Sequence, residues 1–335
     1  MFSNPTVIIV GAGASAEFGL PTGEGMHRSV VNETFETIQQ GDTQADFFLA
    51  SFWKFLMYEN LHGQQTTYRQ FVEVAKQSPS TSIDLFAYNN PSHEEVAKLY
   101  SAWSIAKSQF DFELKQDHDF QREYYAKISR SPKWLSPQIG EDHRLNWLAE
   151  LVNQFVEGAQ SSKDLEENKL TFVTFNYDSI VEEAFVTFVR RLERFADAPD
   201  NAMPEVIHIH GRMDSPDVPN LNKNWILDQA KNIRFITETI VNPGSAVDRA
   251  IALLDEALHV YSVGFAFEPN NTKLLAAGKW GGKVVGLNYA GNAKIENRMK
   301  RLGVKRNSIW RGSGTAPLKL GLAAADGFFE AIPSD

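Results

Sequence analysis

The sequence predicts an α/β protein, a mostly parallel sheet covered by helices on both faces and interrupted by a large helical insertion. Three observations carry this. The runs "TVIIV" (6–10), "LTFVTF" (170–175), "EVIHIHG" (205–211), "LHVYSVGF" (258–265) and "KVVGLN" (283–288) are short and nearly continuous in apolar residues. Such strands are buried on both faces, as parallel strands are. After residue 160 they alternate with stretches of helical period, the pattern of a sheet wound by crossover helices. From about 44 to 160, by contrast, apolar residues recur three and four apart.

The elements follow in order. "TVIIV" is too short for a helix and stops in Gly11. Helical material dominates from Ala14 to about Gln40, broken by "GLPTGEG" (19–25). The block 44–160 carries "ADFFLASFWKFLMYENL" and "HEEVAKLYSAWSIAKSQF", with breaks where Pro and Ser cluster in "QSPSTSIDLF" and "ISRSPKWLSPQIG". Its many Phe and Trp residues fit a core better than an exposed docking surface. Helices are expected at 178–194, 245–257 and 270–278 between the later strands. The chain therefore divides into a core made of 1–43 and 161–335, with 44–160 inserted between its first two strands.

Composition narrows the function classes. The chain has no cysteine, which removes disulfides and thiolate metal sites. A formal charge of −9 and a pI near 5.5 argue against nucleic-acid binding. The local string "GVKRNSIWRG" (303–312) reads as a charged surface strand or turn. No apolar run reaches the roughly 18 residues of a membrane span, and the N-terminus lacks a basic segment followed by a long apolar one. A cytoplasmic protein is expected.

Several stretches carry chemistry. In "VIIVGAGASAEFGLPTG", Gly11 and Gly13 permit a tight strand-to-helix turn, and a helix opening at Ala14 would aim free N–H groups at a phosphate. The string also matches the glycine pattern of dehydrogenases and flavoproteins. That reading needs an acid-tipped strand about 20 residues on, where this chain reads as helix. A bare structural turn is the plain alternative. Asn176 ends a core strand at the carboxyl edge, where ligands bind in open α/β sheets. The plain alternative there is a turn-forming Asn176 beside a capping Asp178. In "HIHG" (208–211), His208 and His210 share a strand face, so a metal pair, a satisfied core histidine and a general base are all open. "VGFAF" (263–267) and "GLN" (286–288) end strands that could line the same crevice.

Taken in chain order, "GAGAS" with "GLPT", then "TFNYD", "HIHG", "SVGFAF" and "GLN" resemble the NAD-binding blocks of the sirtuins. The resemblance covers about 1–27 and 168–330 and implies a Rossmann-like core. It implies that Gly11, Ala12, Gly13, Ser15 and the loop of Leu20, Pro21 and Thr22 hold pyrophosphate and ribose. It places Asn176 and Asp178 at the nicotinamide ribose and carboxamide, makes His210 the base, and sets Gly264, Phe265 and Asn288 against the far half of NAD.

The departures point to one branch. Sirtuin deacylases carry a cysteine-built zinc module, continue the cofactor loop as Pro-Asp-Phe-Arg where this chain has "PTGEG", and have Gln where Phe175 stands. The pattern is similar to the zinc-less, sirtuin-like NAD-cleaving domains of bacterial antiphage defence. That implies NAD as substrate, no metal, catalytic Asn176 and His210, and a homo-oligomer. Because a free NADase would be toxic, gating by oligomerisation or by a partner such as an ATPase or nuclease-like protein is expected. The competing expectations are an NAD-dependent protein deacylase without zinc and a non-enzymatic subunit that senses NAD or ADP-ribose.

Overall fold

The run TVIIV forms strand β1, Thr6–Val10, and every residue of it is buried. The computed structural model describes residues 1–32, 52–58, 61–109, 112–115, 125–128, 146–214, 223–288, 291–311 and 320–330. The chain forms two compact units. The first comprises Met1–Glu17, Pro137–His210 and Thr239–Asp335, and the second Phe18–Ser136 and Gly211–Glu238. Residues 211–238, read from the sequence with the core, thus fall in the second unit, and helix Trp147–Val156 in the first.

After β1 come β2 (Phe112–Lys115) and β3 (Tyr125–Ile128), an antiparallel pair of the second unit. The first unit continues with β4 (Leu170–Thr174), β5 (Glu205–His208), β6 (His259–Val263), β7 (Val284–Asn288) and β8 (Ile309–Arg311). Its six strands are all parallel, in the order β5-β4-β1-β6-β7-β8. Renumbered within the sheet this is 3-2-1-4-5-6, the Rossmann order, with the chain reversing direction across the sheet between β1 and β6. The stretch "GVKRNSIWRG" supplies β8, the edge strand.

Parallel pairing requires helical crossovers, and they cover both faces. Helix Gly244–Glu256 lays Val247, Ala250 and Leu254 against Val7, Ile9, Val173, Ile207 and Val260. On alternate strand positions, Phe172 meets Phe185 of helix Ile180–Arg190 edge to face, and Phe185 meets Phe155 in the same way. Tyr261 of β6 packs on Phe328 and Phe329. Period-two alternation thus sends successive residues of each strand to opposite helical layers.

The second unit is built on helices Gly23–Val31, Phe52–Tyr58, His62–Gln77, Ile83–Asn89, Glu94–Gln109 and Lys223–Asn232. Phe52, Tyr68, Phe71, Phe86, Tyr100 and Trp103 form an aromatic core there: all are buried and meet in edge-on and tilted pairs. The break expected in "ISRSPKWLSPQIG", from Ser129 on, and the last part, 33–40, of the helical stretch expected up to Gln40 lie outside the described residues. Among the described residues, no helix is long and apolar enough to cross a membrane.

Candidate functional site

The site begins where β1 stops. Gly11 donates its N–H to Val263 O at 2.9 Å, and Gly13 to Gly264 O at 3.0 Å. The turns after β1 and β6 therefore interlock at the point where the strand order reverses. A Cβ on Gly11 would meet Gly264 O at 2.5 Å, and one on Gly264, whose φ is +60°, would meet Ala14 N at 2.0 Å. Backbone packed on backbone explains these glycines.

The turn corrects one expectation. The helix after β1 is only Ala12–Ala16, opening at Ala12 and not at Ala14. The N–H groups of Gly13 and Ala14 are taken by Gly264 O and Gly11 O, so neither is a free donor. Ala12 and Gly13 remain half-exposed. Leu20, Pro21 and Thr22 belong to the second unit, where Leu20 is buried and Thr22 Oγ1 caps helix Gly23–Val31 by accepting from Gly25 N.

The end of β4 reaches the same turn. Asn176 is 6% exposed, and its amide nitrogen donates to Gly11 O at 3.2 Å and to Ser15 Oγ at 2.8 Å. A carbonyl oxygen only accepts, so the atom facing Gly11 O must be the NH₂, which fixes the orientation of the amide. The main chain of Asn176 is held as well. Its N–H donates to Thr174 Oγ1 at 3.0 Å and its carbonyl accepts from His208 Nδ1 at 2.9 Å. Its Oδ1 is buried with no hydrogen-bond partner among the described residues. A buried acceptor left unpaired costs about 1–3 kcal/mol, so this atom is poised for a donor such as water or a hydroxyl.

Asp178 completes the cluster. Its carboxylate takes a hydrogen bond from the Ser15 hydroxyl, giving a chain from Asn176 through Ser15 to Asp178. Burial raises the Asp178 carboxyl to about 6, against the hydrogen bonds of Ser15 and the Ile180 N–H and the nearby His208. The capping reading of Asp178 is partly right: its Oδ1 accepts from Ile180 N at 3.3 Å, although the residue at the N-cap position is Ser179.

The two histidines have different surroundings. His208 is the satisfied one, bonded to Asn176 O and, at 2.8 Å from Nε2, to Glu182 Oε1. His210 lies on the adjacent strand end. Thr174 pairs with His208 in the parallel register, so Asn176 and His210 each stand two residues past the last pair. The His210 ring packs edge-on against Phe175 at 5.4 Å, with Thr239 Oγ1 3.0 Å from Nδ1 and Asn271 Oδ1 3.3 Å from Nε2. Among the described residues no cluster of three His, Asp or Glu is placed to hold a metal ion.

The remaining expected residues are spread along the same carboxyl edge. Phe265 is buried, its ring stacked on Phe175 at 4.8 Å and 21°, so it belongs to the apolar floor below His210. Asn288 is fully buried, and its amide closes its own loop through Asn292 O and Asn292 N, both at 3.0 Å. Thr239, Asn271 and Glu182 were missed in the sequence. Thr239 and Asn271 lie 29 and 61 residues from His210, in stretches without a motif, and only the fold brings them to it. Glu182, one helical turn after Asp178, follows an i, i+4 spacing that could have been read.

Fold and site together define a Rossmann-like α/β protein with a buried Asn-Ser-Asp chain at its topological switch point. In comparisons with known proteins, no family model and no curated sequence matches the chain.

Proposed function

We propose that the protein cleaves the N-glycosidic bond of NAD⁺, giving nicotinamide and ADP-ribose, as a zinc-less relative of the sirtuins. The observation that carries this reading is the unpartnered Oδ1 of Asn176, an anchored acceptor at the carboxyl edge where α/β sheets of this strand order take dinucleotides. The resemblance of the five sequence blocks supplies the substrate, since fold alone does not.

In this reading the bond from ribose C1′ to the pyridinium nitrogen breaks, and its electron pair stays on nitrogen, so nicotinamide leaves neutral. Water oxygen bonds to C1′ and gives up a proton. Asn176 Oδ1 accepts a hydrogen bond from that water or from a ribose hydroxyl. His210 takes the proton and later returns it to solvent, a role worth roughly 10²–10⁴-fold. Asp178, ionised above its raised pKa of about 6, faces the developing positive charge on the sugar or binds the carboxamide. Ala12 and Gly13, half-exposed, are the part of the first turn left open to the pyrophosphate. Such positioning lowers the barrier without taking part in the chemistry.

A free NAD-cleaving enzyme would harm its own cell. Activity gated by homo-oligomerisation or by a regulatory partner, as in an antiphage effector, fits that constraint. The test is to incubate the purified chain with NAD⁺, dilute and concentrated, with and without an acyl-lysine peptide, and to measure nicotinamide. Release without peptide is expected. Release only with peptide would indicate a deacylase, and binding without release a sensor.

A further inference from the structure

His210 is gripped at both ring nitrogens by side chains that the resemblance to the sirtuins does not supply. Thr239 comes from helix Ile236–Val241 and is wholly buried, while Asn271 comes from helix Pro269–Leu274 and is half-exposed. The partner of Nε2 is the amide oxygen Asn271 Oδ1, which has lone pairs and no hydrogen. With that oxygen turned to the ring, Nε2 carries the ring proton. A neutral imidazole has a single N–H, which leaves Nδ1 as the basic nitrogen, facing the Thr239 hydroxyl. A hydroxyl can donate to Nδ1 and then rotate to accept from it. Once the ring is protonated, both of its N–H groups find acceptors, Asn271 Oδ1 and Thr239 Oγ1, without movement of either helix.

We infer that Asn271 is a positioning residue that holds His210 in its Nε2–H tautomer and directs proton uptake to Nδ1, where Thr239 accepts the new N–H. The bracket is thus built for the imidazolium that a general base becomes, and an amide oxygen plays the orienting part that a carboxylate or amide plays in hydrolase triads. The tautomer follows from the Asn271 amide facing the ring through its oxygen. Its catalytic consequence rests on the proposed hydrolysis, in which the attacking water, as its oxygen bonds to C1′, gives its proton to Thr239 Oγ1 while the Thr239 hydroxyl hydrogen passes to Nδ1. Phe175, Thr239 and Asn271, which lie against the ring, are themselves uncharged. The charged side chains on the elements that carry them are engaged elsewhere or in solvent. Glu238 accepts from Phe235 N, Glu268 pairs with Arg298, Asp178 is bound by Ser15, and Lys273 is exposed.

Nitrogen NMR of the full chain labelled in histidine, with the His210 signal assigned from a His210→Gln spectrum, tests this directly. Wild type should show Nε2 protonated and Nδ1 bare when the ring is neutral. In the isosteric Asn271→Asp protein a carboxylate replaces the amide oxygen, and the His210 titration should move up by about one pH unit. The acid limb of nicotinamide release should move with it, whereas a purely structural role would change the rate and leave the limb in place. Asn271→Leu should yield a mixture of tautomers. A neutral wild-type ring with its proton on Nδ1, or an Asn271→Asp titration identical to wild type, would overturn the inference. If the wild-type ring behaves as stated while no nicotinamide is released, the hydrolase reading falls and the assignment of Asn271 stands.

Discussion

Asn176 and Ser15 are 161 residues apart in the chain and 2.8 Å apart in the structure, the amide nitrogen of one donating to the hydroxyl of the other. That bond ties the end of β4 to the first turn after β1. It also decides which atom of the amide is offered to a ligand. With the nitrogen spent on Ser15 and Gly11, only the oxygen remains.

Ser15→Ala should therefore act through Asn176. The variant removes one acceptor from the amide nitrogen and one donor from Asp178, a loss of about 1–3 kcal/mol in a buried network. Turnover should fall by roughly 10–100-fold with a smaller change in KM, the pattern of an interaction used in the transition state. Steady-state kinetics of nicotinamide release would show this. An unchanged kcat would mean that the amide keeps its orientation without Ser15.

Asp178→Asn should stabilise the protein above about pH 6 while lowering activity. The carboxyl is raised in the folded chain from 3.8 to about 6, so folding favours its neutral form. Its contribution is fully present below the unfolded pKa and is lost as pH rises through the folded value, a difference of ~3 kcal/mol. Denaturant unfolding at about pH 5 and pH 7.5 should show the variant gaining on wild type at the higher pH. Equal pH dependence in the two proteins would place Asp178 in water.

Gly264→Ala should destabilise the first unit by at least about 2 kcal/mol, because the left-handed φ of +60° is costly for alanine and its Cβ would meet Ala14 N. Gly278→Ala, where a Cβ meets nothing within 4 Å, is the matched control and should be nearly neutral. Thermal unfolding of both variants separates close backbone approach from a general effect of glycine replacement.

In the second unit, His27 and His93 both lie beside Phe86, with ring centroids 6.0 and 6.1 Å from its own. Burial lowers the pKa of each histidine. The unfolded chain then binds protons first, so their contribution is present above the ordinary histidine value of about 6.5 and is lost as pH falls below it. His27→Leu should flatten the fall in thermal stability between about pH 7 and pH 5. A slope as steep as that of wild type would remove His27 as its source.

Much of the core was legible because its strands are short, apolar and ended by Gly11, Asn176, Gly211, Gly264 or a polar residue. β1 matches its expected span, and β4, β6 and β7 fall within a residue or two of theirs. Asn176, Asp178 and His210 could be singled out since each follows an apolar strand at the edge where ligands bind. What the sequence concealed depends on distant backbone. Nothing local says that Gly13 N would be spent on Gly264 O, or that the Asn288 amide would close its own loop. Nor does any spacing bring Thr239 and Asn271 to His210, or place 211–238 with the helical unit. Those relations belong to the tertiary fold, while periodicity reports one element at a time.

Nicotinamide release by wild type and by Asn176→Ala, measured side by side with NAD⁺ affinity, bears most directly on the proposed chemistry. Wild type should hydrolyse NAD⁺ in at least one assembly state. The variant should bind NAD⁺ within a few-fold of wild type and turn it over roughly 10²–10⁴-fold more slowly. Wild type inert at every protein concentration, or a variant as fast as wild type, would contradict the assignment of Asn176 Oδ1 to the reacting sugar.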